Sequence, residues 1–271
     1  MGLGAYVNKV GFPGLRPEPF TINRVAFYIG GKAIFWYGII IATGLICGII
    51  YCILEARMVK VKLITMLDLI CIQIISAVIG ARLYFVLFNL HYFSSVADAF
   101  KIWEGGIAIY GAIIGGGLAT WVYCKIKKVP IMKILDIAVV ALILGQAIGR
   151  WGNFVNVEAY GGITELPWRM EVYDFLGRVK EAVHPTFLYE SLWCIIGFVV
   201  LLFYKKKKKF EGELFLIYGI WYSFGRFWIE GLRQDSLPYN ADFKISQILS
   251  LIIFISFIAV EFSRRRKLQK D

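Results

Sequence analysis

The sequence contains little of the side-chain chemistry on which metal and redox sites depend. Two histidines in 271 residues exclude a histidine-rich zinc site. The five cysteines lie in or at the ends of apolar runs, and no two of them have the CxxC spacing of a metal or redox motif. We interpret them as small buried hydrophobic residues, and we expect neither a metal nor another cofactor.

Two further features are missing. Glycines and prolines interrupt the first 32 residues, which contain no apolar h-region, so we expect no cleaved signal peptide. No internal repeat is visible, whereas transporters commonly contain paired repeats. The simplest organisation is a single integral membrane domain over residues 1–271.

Hydrophobic residues are abundant instead. They make up 59% of the chain, whose mean hydropathy is +0.67, whereas soluble domains contain roughly 45–50%. Seven apolar runs each have 17 to 25 residues, close to the roughly 20 that a helix needs to cross a bilayer. We predict an all-α polytopic membrane protein with seven transmembrane helices, at approximately residues 34–54, 64–88, 107–124, 131–149, 187–204, 214–230 and 245–262.

The positive charges of the connecting segments predict the orientation. One set of segments has 16 lysines and arginines in 31 positions, and the opposite set has 11 in 102. Because basic residues concentrate on the cytoplasmic side, we expect the N-terminus outside and the C-terminus in the cytoplasm. The basic runs then anchor the topology beside anionic lipid, and we expect no nucleic-acid binding despite the formal charge of +11. The basic segments are 55–63, 125–130, 205–211 and 263–271, and the opposite ones are 1–33, 89–106, 150–186 and 231–244.

Residues 149–162 form the most informative stretch. They follow an apolar run and combine an arginine, two asparagines and a glutamate with four glycines. By the predicted orientation they open an extracytoplasmic segment, 150–186. Such a density of hydrogen-bonding groups at a bilayer boundary predicts a site that holds an anionic headgroup.

Charged residues inside the predicted spans indicate the same kind of ligand. Arg82 lies late in the second run, and Arg226 and Glu230 lie late in the sixth, with Arg233 just beyond. A charge deep in a span costs roughly 2.5–3.5 kcal/mol, so we expect an interior functional role. These arginines and Arg150 all lie toward the outer leaflet, where planar guanidiniums suit a phosphate. An internal salt bridge is an equal alternative for Glu230, and snorkelling to the interface is an alternative for Arg226.

One long motif resembles the defining motif of the bacterial prolipoprotein diacylglyceryl transferases. It reads Gly149-Arg150-x-Gly152-Asn153-Phe154-x-Asn156-x-Glu158-x-x-Gly161 and is highly specific. Shorter blocks in the family's order extend the resemblance over nearly the whole chain. They are Trp36-Tyr37-Gly38, Gly80-Ala81-Arg82-Leu83, Trp103-Glu104-Gly105-Gly106-Ile107, His184-Pro185-Thr186, Leu188-Tyr189-Glu190, Gly225-Arg226 and Glu230-x-x-Arg233-Gln234.

The resemblance implies a seven-span enzyme of the bacterial cytoplasmic membrane with an extracytoplasmic active site. Members of the family transfer the diacylglyceryl group of phosphatidylglycerol to the lipobox cysteine of a prolipoprotein signal peptide, forming a thioether and releasing glycerol phosphate. By this resemblance Arg150 and Arg226 are the expected catalytic residues, because they would stabilise charge on the departing phosphate. We expect the substrate-binding residues to be Tyr37, Arg82, Asn153, Glu158, Gly161, Glu230 and Arg233.

One position in the catalytic set departs from the family. Many members have a histidine where this chain has Tyr110, and that histidine is the obvious base for the thiol. Ordinary pKa values are about 8.5 for cysteine and about 10 for tyrosine, so a neutral phenol is a poor base at pH 7. An activated tyrosinate, Glu158, the leaving phosphate and electrostatic formation of the thiolate all stay open. Phe85 is a smaller departure, since a tyrosine is expected beside Tyr84.

Other functions fit part of the pattern. Another transferase that uses phosphatidylglycerol would recognise the headgroup in the same way. A small-anion or lipid transporter would also place arginines among its spans. A purely structural membrane protein would not need Arg82, Arg226 and Glu230 at membrane depth.

Overall fold

The seven predicted apolar runs all form long α-helices in a computed structural model of the chain. Six of these helices are long and apolar enough to cross a membrane. The remaining one, the sixth in chain order, is more polar because it contains Arg226 and Glu230. The protein is therefore a mostly helical, polytopic membrane protein. The helices are α1 (Trp36–Met58), α2 (Leu63–Phe88), α3 (Ile109–Lys127), α4 (Ile131–Asn156), α5 (Thr186–Tyr204), α6 (Glu213–Leu232) and α7 (Ile245–Leu268).

The structure describes most of the chain, including every predicted site residue. The described residues are 7–93, 98, 100, 101, 105–174, 176–233 and 244–269. Two parts of the family blocks, Trp103-Glu104 and Gln234, lie outside the described residues.

The prediction of an all-α fold is wrong outside the helices, because the described residues there include six strands. Four of them make an antiparallel sheet in the order β2-β1-β5-β6, and β3 and β4 make a separate hairpin. These segments are too short to appear in a search for membrane-length apolar runs. The strands are β1 (Val7–Phe12), β2 (Arg16–Asn23), β3 (Val25–Ile29), β4 (Lys32–Phe35), β5 (Met170–Tyr173) and β6 (Val179–Val183).

The fourth helix is longer than predicted. It ends at Asn156 rather than at residue 149, so the segment predicted as 150–186 begins with about two further turns of α4. The apolar run ends at Arg150, but the backbone stays helical through the polar motif. Arg150, Asn153 and Asn156 therefore follow each other at a spacing of three, which makes each a neighbour of the next on the helix surface.

The chain folds as two compact units. One consists of Met1–Gly48 and Ala138–Asp271, and the other of Ile49–Ile137. In the second unit α2 and α3 pack backbone to backbone, because a Cβ on Gly80 would lie 2.4 Å from the carbonyl oxygen of Gly111. The single membrane domain stays a prediction.

In the first unit a pair of tryptophans fixes α5 against α6. The rings of Trp193 and Trp221 stack with centroids 4.3 Å apart. Each indole N–H donates to the backbone carbonyl of the other residue at 3.0 Å. Two glycines provide the space, since a Cβ would lie 2.4 Å from Trp221 at Gly197 and 2.1 Å from Trp193 at Gly225. This contact sets the register of the two helices. Trp193 lies about one turn after Glu190 on α5, and Gly225 directly precedes Arg226 on α6.

Candidate active site

The polar motif, residues 149–162, contains the C-terminal end of α4 and the turn that follows it. The amide of Val157 donates to the carbonyl of Phe154 and the amide of Glu158 donates to that of Asn153, both at 3.0 Å, which is a Schellman ending of α4. Glycine usually takes the left-handed position of this turn, yet here it is Val157, with φ of 52°. A β-branched residue in that region is strained, and such strain is concentrated at functional sites. The turn directs Glu158 toward the last turn of α4.

Glu158 is the acceptor for two asparagines of the motif. Asn153 Nδ2 donates to Glu158 Oε1 at 2.9 Å, and Asn156 Nδ2 donates to the same oxygen at 3.3 Å. Arg150 Nη1 donates to Asn153 Oδ1 at 3.4 Å, and Arg24 Nε donates to Asn156 Oδ1 at 3.2 Å. The motif residues thus form one hydrogen-bonded group with an arginine at each end.

Two arginines from different helices meet at one buried carboxylate. Glu190, which is 6% exposed, lies one turn into α5. Its Oε2 pairs with Arg150 Nε, and its Oε1 accepts from Arg226 Nη1 at 2.5 Å. Arg150 and Arg226, which were predicted from separate motifs, are therefore held side by side.

Glu230 holds the other side of Arg226. Its Oε2 lies 2.5 Å from Arg226 Nη2 and 4.0 Å from Arg233 Nη1, while Ser246 Oγ donates to its Oε1 at 2.7 Å. The internal salt bridge that the sequence left open for Glu230 is thus present in the structure. Arg226 contacts two carboxylates, so its guanidinium does not extend to the interface as a snorkelling side chain would.

Among the described residues of the first unit, this network contains more positive than negative charges. Four arginines and Lys244, whose Nζ donates to the carbonyl of Glu230 at 2.8 Å, accompany three glutamates. The excess suits an anionic ligand. The arginines are Arg24, Arg150, Arg226 and Arg233, and the glutamates are Glu158, Glu190 and Glu230.

Tyr37 and Gly161 are placed by close packing. The ring of Tyr37, in the first turn of α1, lies against Gly152, where a Cβ would be 2.9 Å from Tyr37 Cδ2. Gly161 forms a β-bridge with Arg233, and its amide donates to the carbonyl of His184 at 2.9 Å. A Cβ on Gly161 would lie 2.7 Å from that of His184, so a larger residue would separate the motif from Arg233.

Arg82 and Tyr110 belong to the second unit. Arg82 is 8% exposed, and its guanidinium donates to the carbonyls of Gly105, Gly106 and Asp98 at 2.6, 2.9 and 2.9 Å. Arg82 therefore connects α2 to three backbone carbonyls that precede α3. Tyr110 is 52% exposed in the first turn of α3, with its ring 6.4 Å from that of Tyr84.

The phenylalanine found in place of the expected tyrosine packs inside the second unit. A Cβ on Gly106 would lie 2.6 Å from Phe85 Cε1, so the Phe85 ring covers this glycine. The guanidinium of Arg82 lies 6.0 Å from the same ring and 5.2 Å from that of Phe93. Arg82 and Phe85 thus enclose the glycine turn together.

Sequence reasoning missed three charged members of the network, Glu190, Arg24 and Lys244. Glu190 was noticed only as part of a short block, although a carboxylate one turn into an apolar run satisfies the rule that singled out Arg226. Arg24 had no such signal, because it lies between two short strands and is brought to Asn156 by the fold.

The chain is similar to known proteins over most of its length. A family described as prolipoprotein diacylglyceryl transferase matches residues 24–262. A relative in Pediococcus pentosaceus is 41% identical over 92% of this chain and 93% of its own length, and one in Listeria monocytogenes is 42% identical over 91% of each. A relative in Clostridioides difficile is 45% identical over 91% of this chain and 98% of its own length. All three relatives carry the name phosphatidylglycerol–prolipoprotein diacylglyceryl transferase. The chain therefore belongs to the prolipoprotein diacylglyceryl transferase family.

Proposed function

We propose that the chain transfers the diacylglyceryl group of phosphatidylglycerol to the lipobox cysteine of prolipoproteins, the first step of bacterial lipoprotein maturation. The relatives from Pediococcus, Listeria and Clostridioides are named for this transfer. The observation that carries the proposal is the contact of Arg150 and Arg226 with the single carboxylate of Glu190. It concentrates two guanidiniums where an anionic headgroup can meet both.

The chemistry needs stabilisation of a leaving phosphate. The cysteine thiolate attacks the glycerol carbon that bears the phosphate, so a carbon–sulfur bond forms while the carbon–oxygen bond breaks. Glycerol phosphate leaves with the bonding electrons, and negative charge grows on its oxygen. Cations fixed beforehand in a water-poor site stabilise such charge most strongly. A guanidinium has five N–H donors, more than the contacts of Arg150 and Arg226 to carboxylates require.

The other residues of the network position these two arginines and the headgroup. We assign Glu230 to fixing Arg226, and Gly161 to holding Arg233 near the motif. Asn153 and Glu158 present polar atoms beside Arg150, and Tyr37 lines the same end of α4.

Arg82 and Tyr110 receive narrower roles. Three hydrogen bonds commit the guanidinium of Arg82 to backbone carbonyls, so we assign it to ordering the segment before α3 rather than to the headgroup itself. We assign Tyr110 to hydrogen bonding rather than to base catalysis, because an ordinary tyrosine pKa of about 10 makes a phenol a poor base at pH 7.

All seven helices cross the membrane in this proposal, with the N-terminus outside, the C-terminus in the cytoplasm and the active site on the extracytoplasmic side of the bacterial cell membrane. The unequal distribution of lysine and arginine among the connecting segments supports this orientation. The polarity of α6 does not prevent it from spanning, because Arg226 and Glu230 pair with partners inside the protein.

The test is a reaction of the purified protein with phosphatidylglycerol vesicles and a lipobox peptide. A peptide that gains the mass of one diacylglyceryl group, with release of glycerol phosphate, supports the proposal, and a peptide with serine in place of the cysteine is the control. Movement of lipid or anion without a modified peptide would indicate a transporter. A different product from phosphatidylglycerol would indicate another transferase.

A further inference from the structure

The β3–β4 hairpin presents bare apolar side chains immediately before a membrane helix. Phe27, Tyr28 and Ile29 are 49%, 54% and 63% exposed. Because successive strand residues point to opposite faces, the described residues leave both faces of the hairpin uncovered. A Cβ built on Gly30 or Gly31 would meet no described atom within 4 Å, so the turn is equally open to this part of the chain.

The base of the hairpin is joined directly to α1. Val25 is 5% exposed and pairs with Phe35, and the amide of Trp36 donates to the carbonyl of Arg24 at 3.0 Å. Residues 36–54 are uncharged and span about 28 Å as a helix, close to the ~30 Å of the hydrocarbon core. Trp36 therefore lies at the edge of the hydrocarbon, and the hairpin base lies in the headgroup layer.

The length of the hairpin decides how it meets the bilayer. Its arms extend about 13 Å from the base, at roughly 3.3 Å per residue. The headgroup layer is only about 5–7 Å thick on each side. An upright hairpin would carry Tyr28 and Ile29 into water, where a two-stranded hairpin is at best marginally stable. A hairpin that lies along the layer keeps both side chains at the lipid boundary, with Ile29 on one face and Tyr28 on the other.

The residue types fit a lipid surface. Lys32, the register partner of Ile29, is the single charged residue of 25–54. A lysine flanked by apolar residues can extend its ammonium to lipid phosphates while its stem stays in the apolar region. Aromatic residues such as Phe27 and Tyr28 favour the same boundary.

We propose that the β3–β4 hairpin is an interfacial anchor that lies in the headgroup layer of an anionic bilayer. Phe27 and Ile29, on one face, contact the upper part of the acyl chains, while Tyr28, on the other face, lies among the lipid headgroups and Lys32 contacts lipid phosphates. Arg24 at the base donates to Asn156, so the anchor also holds the outer end of α4 at the level of the headgroups.

Photocrosslinking of the full-length protein tests this contact. Benzoylphenylalanine replaces Tyr28, which is half exposed and can accept the larger ring, and the protein is reconstituted in vesicles of phosphatidylglycerol and phosphatidylcholine. The control is the same replacement at Glu18, which is exposed on β2. After irradiation, mass spectrometry of the intact protein measures the lipid adducts.

We expect lipid adducts at position 28 at about five times the yield at position 18 or more. Equal yields at both positions, or a crosslink from position 28 to a second copy of the chain or to an added lipobox peptide, would overturn the proposal. Adding Lys32→Glu should lower the yield in phosphatidylglycerol vesicles but not in pure phosphatidylcholine. If Lys32→Glu changes the adduct yield equally in both kinds of vesicle, Lys32 has no role in contacting anionic lipid.

Discussion

Arg150 and Arg226, on α4 and α6, contact opposite oxygens of one carboxylate, that of Glu190 on α5. A carboxylate is rigid, so it fixes the separation of the two guanidiniums more closely than two independent ion pairs would. It balances one of their two positive charges, and Glu230, which Arg226 shares with Arg233, balances part of the rest. The described network as a whole keeps more positive than negative charges, and its two central guanidiniums are preorganised, which is the arrangement that a departing phosphate requires.

Lysine should not replace either arginine. In Arg150→Lys and Arg226→Lys the charge stays, but the planar fork that contacts two oxygens at once is lost. We expect the rate of glycerol phosphate release to fall by about 10²–10³-fold, as when one donor to a developing anion is removed. Arg178→Lys, in an exposed pair with Asp174, is the control and should react normally. Near-normal release by a site variant would make that arginine a structural counter-ion.

Removing the shared carboxylate should impair turnover more than lipid binding. Glu190→Gln leaves two guanidiniums without their common partner, and breaking a buried pair costs about 3–5 kcal/mol of folding free energy. In the protein that remains folded, we expect a lower kcat with no rise in KM for phosphatidylglycerol, because positive charge is kept but misplaced. Both constants are measured per folded molecule, with Glu18→Gln as the exposed control. A kcat per folded molecule equal to that of the unmodified protein would reduce Glu190 to a structural residue.

Tyr110→Phe should keep substantial activity, because a neutral phenol contributes a hydrogen bond rather than base catalysis. Loss of a hydrogen bond to a charged group costs about 1.5–3 kcal/mol, or roughly ten- to two-hundred-fold in rate. Loss of a general base costs about 10²–10⁴-fold. The measurement is glycerol phosphate release from pH 6 to 10. A fall beyond about a thousandfold, with loss of an alkaline limb that the unmodified enzyme has, would establish a tyrosinate instead.

The sequence predicts the elements of this site better than its connections. Apolar length is enough to place all seven helices, because each apolar run has close to the length that a bilayer crossing needs. The strands escape this signal, since β1 and β5 are partners separated by most of the chain. Similarly, Arg226 is visible as a charge in an apolar run, whereas its pairing with Glu190 depends on how the two tryptophans align α5 with α6.

The left-handed turn after α4 should respond to glycine with increased stability. Val157→Gly removes the cost of a positive φ, about 1–2 kcal/mol for a residue with a Cβ, so the apparent Tm should rise. Val155→Gly, two residues earlier in the last turn of α4, should lower it slightly, because glycine is a poorer helix former than valine. Thermal unfolding in detergent compares the two. Equal shifts of the same sign would show that φ at Val157 does not control stability.

The two ends of the chain should lie on opposite sides of the membrane. Single cysteines placed near Lys9 and Lys267, in a protein whose five native cysteines are replaced, are treated with a membrane-impermeant thiol reagent. We expect labelling at Lys9 in intact cells and at Lys267 only after lysis. Labelling of both positions in intact cells would mean an even number of spans.

The most direct measurement of the central claim follows one oxygen atom. Phosphatidylglycerol carries oxygen-18 at the atom that bridges the diacylglyceryl carbon and phosphorus. The purified protein is then incubated with this lipid and a lipobox peptide. Attack of sulfur on carbon, with Arg150 and Arg226 stabilising the leaving phosphate, predicts that all the label departs in glycerol phosphate and none stays with the lipid part. Label retained on the diacylglyceryl product would mean cleavage at phosphorus and would contradict this mechanism.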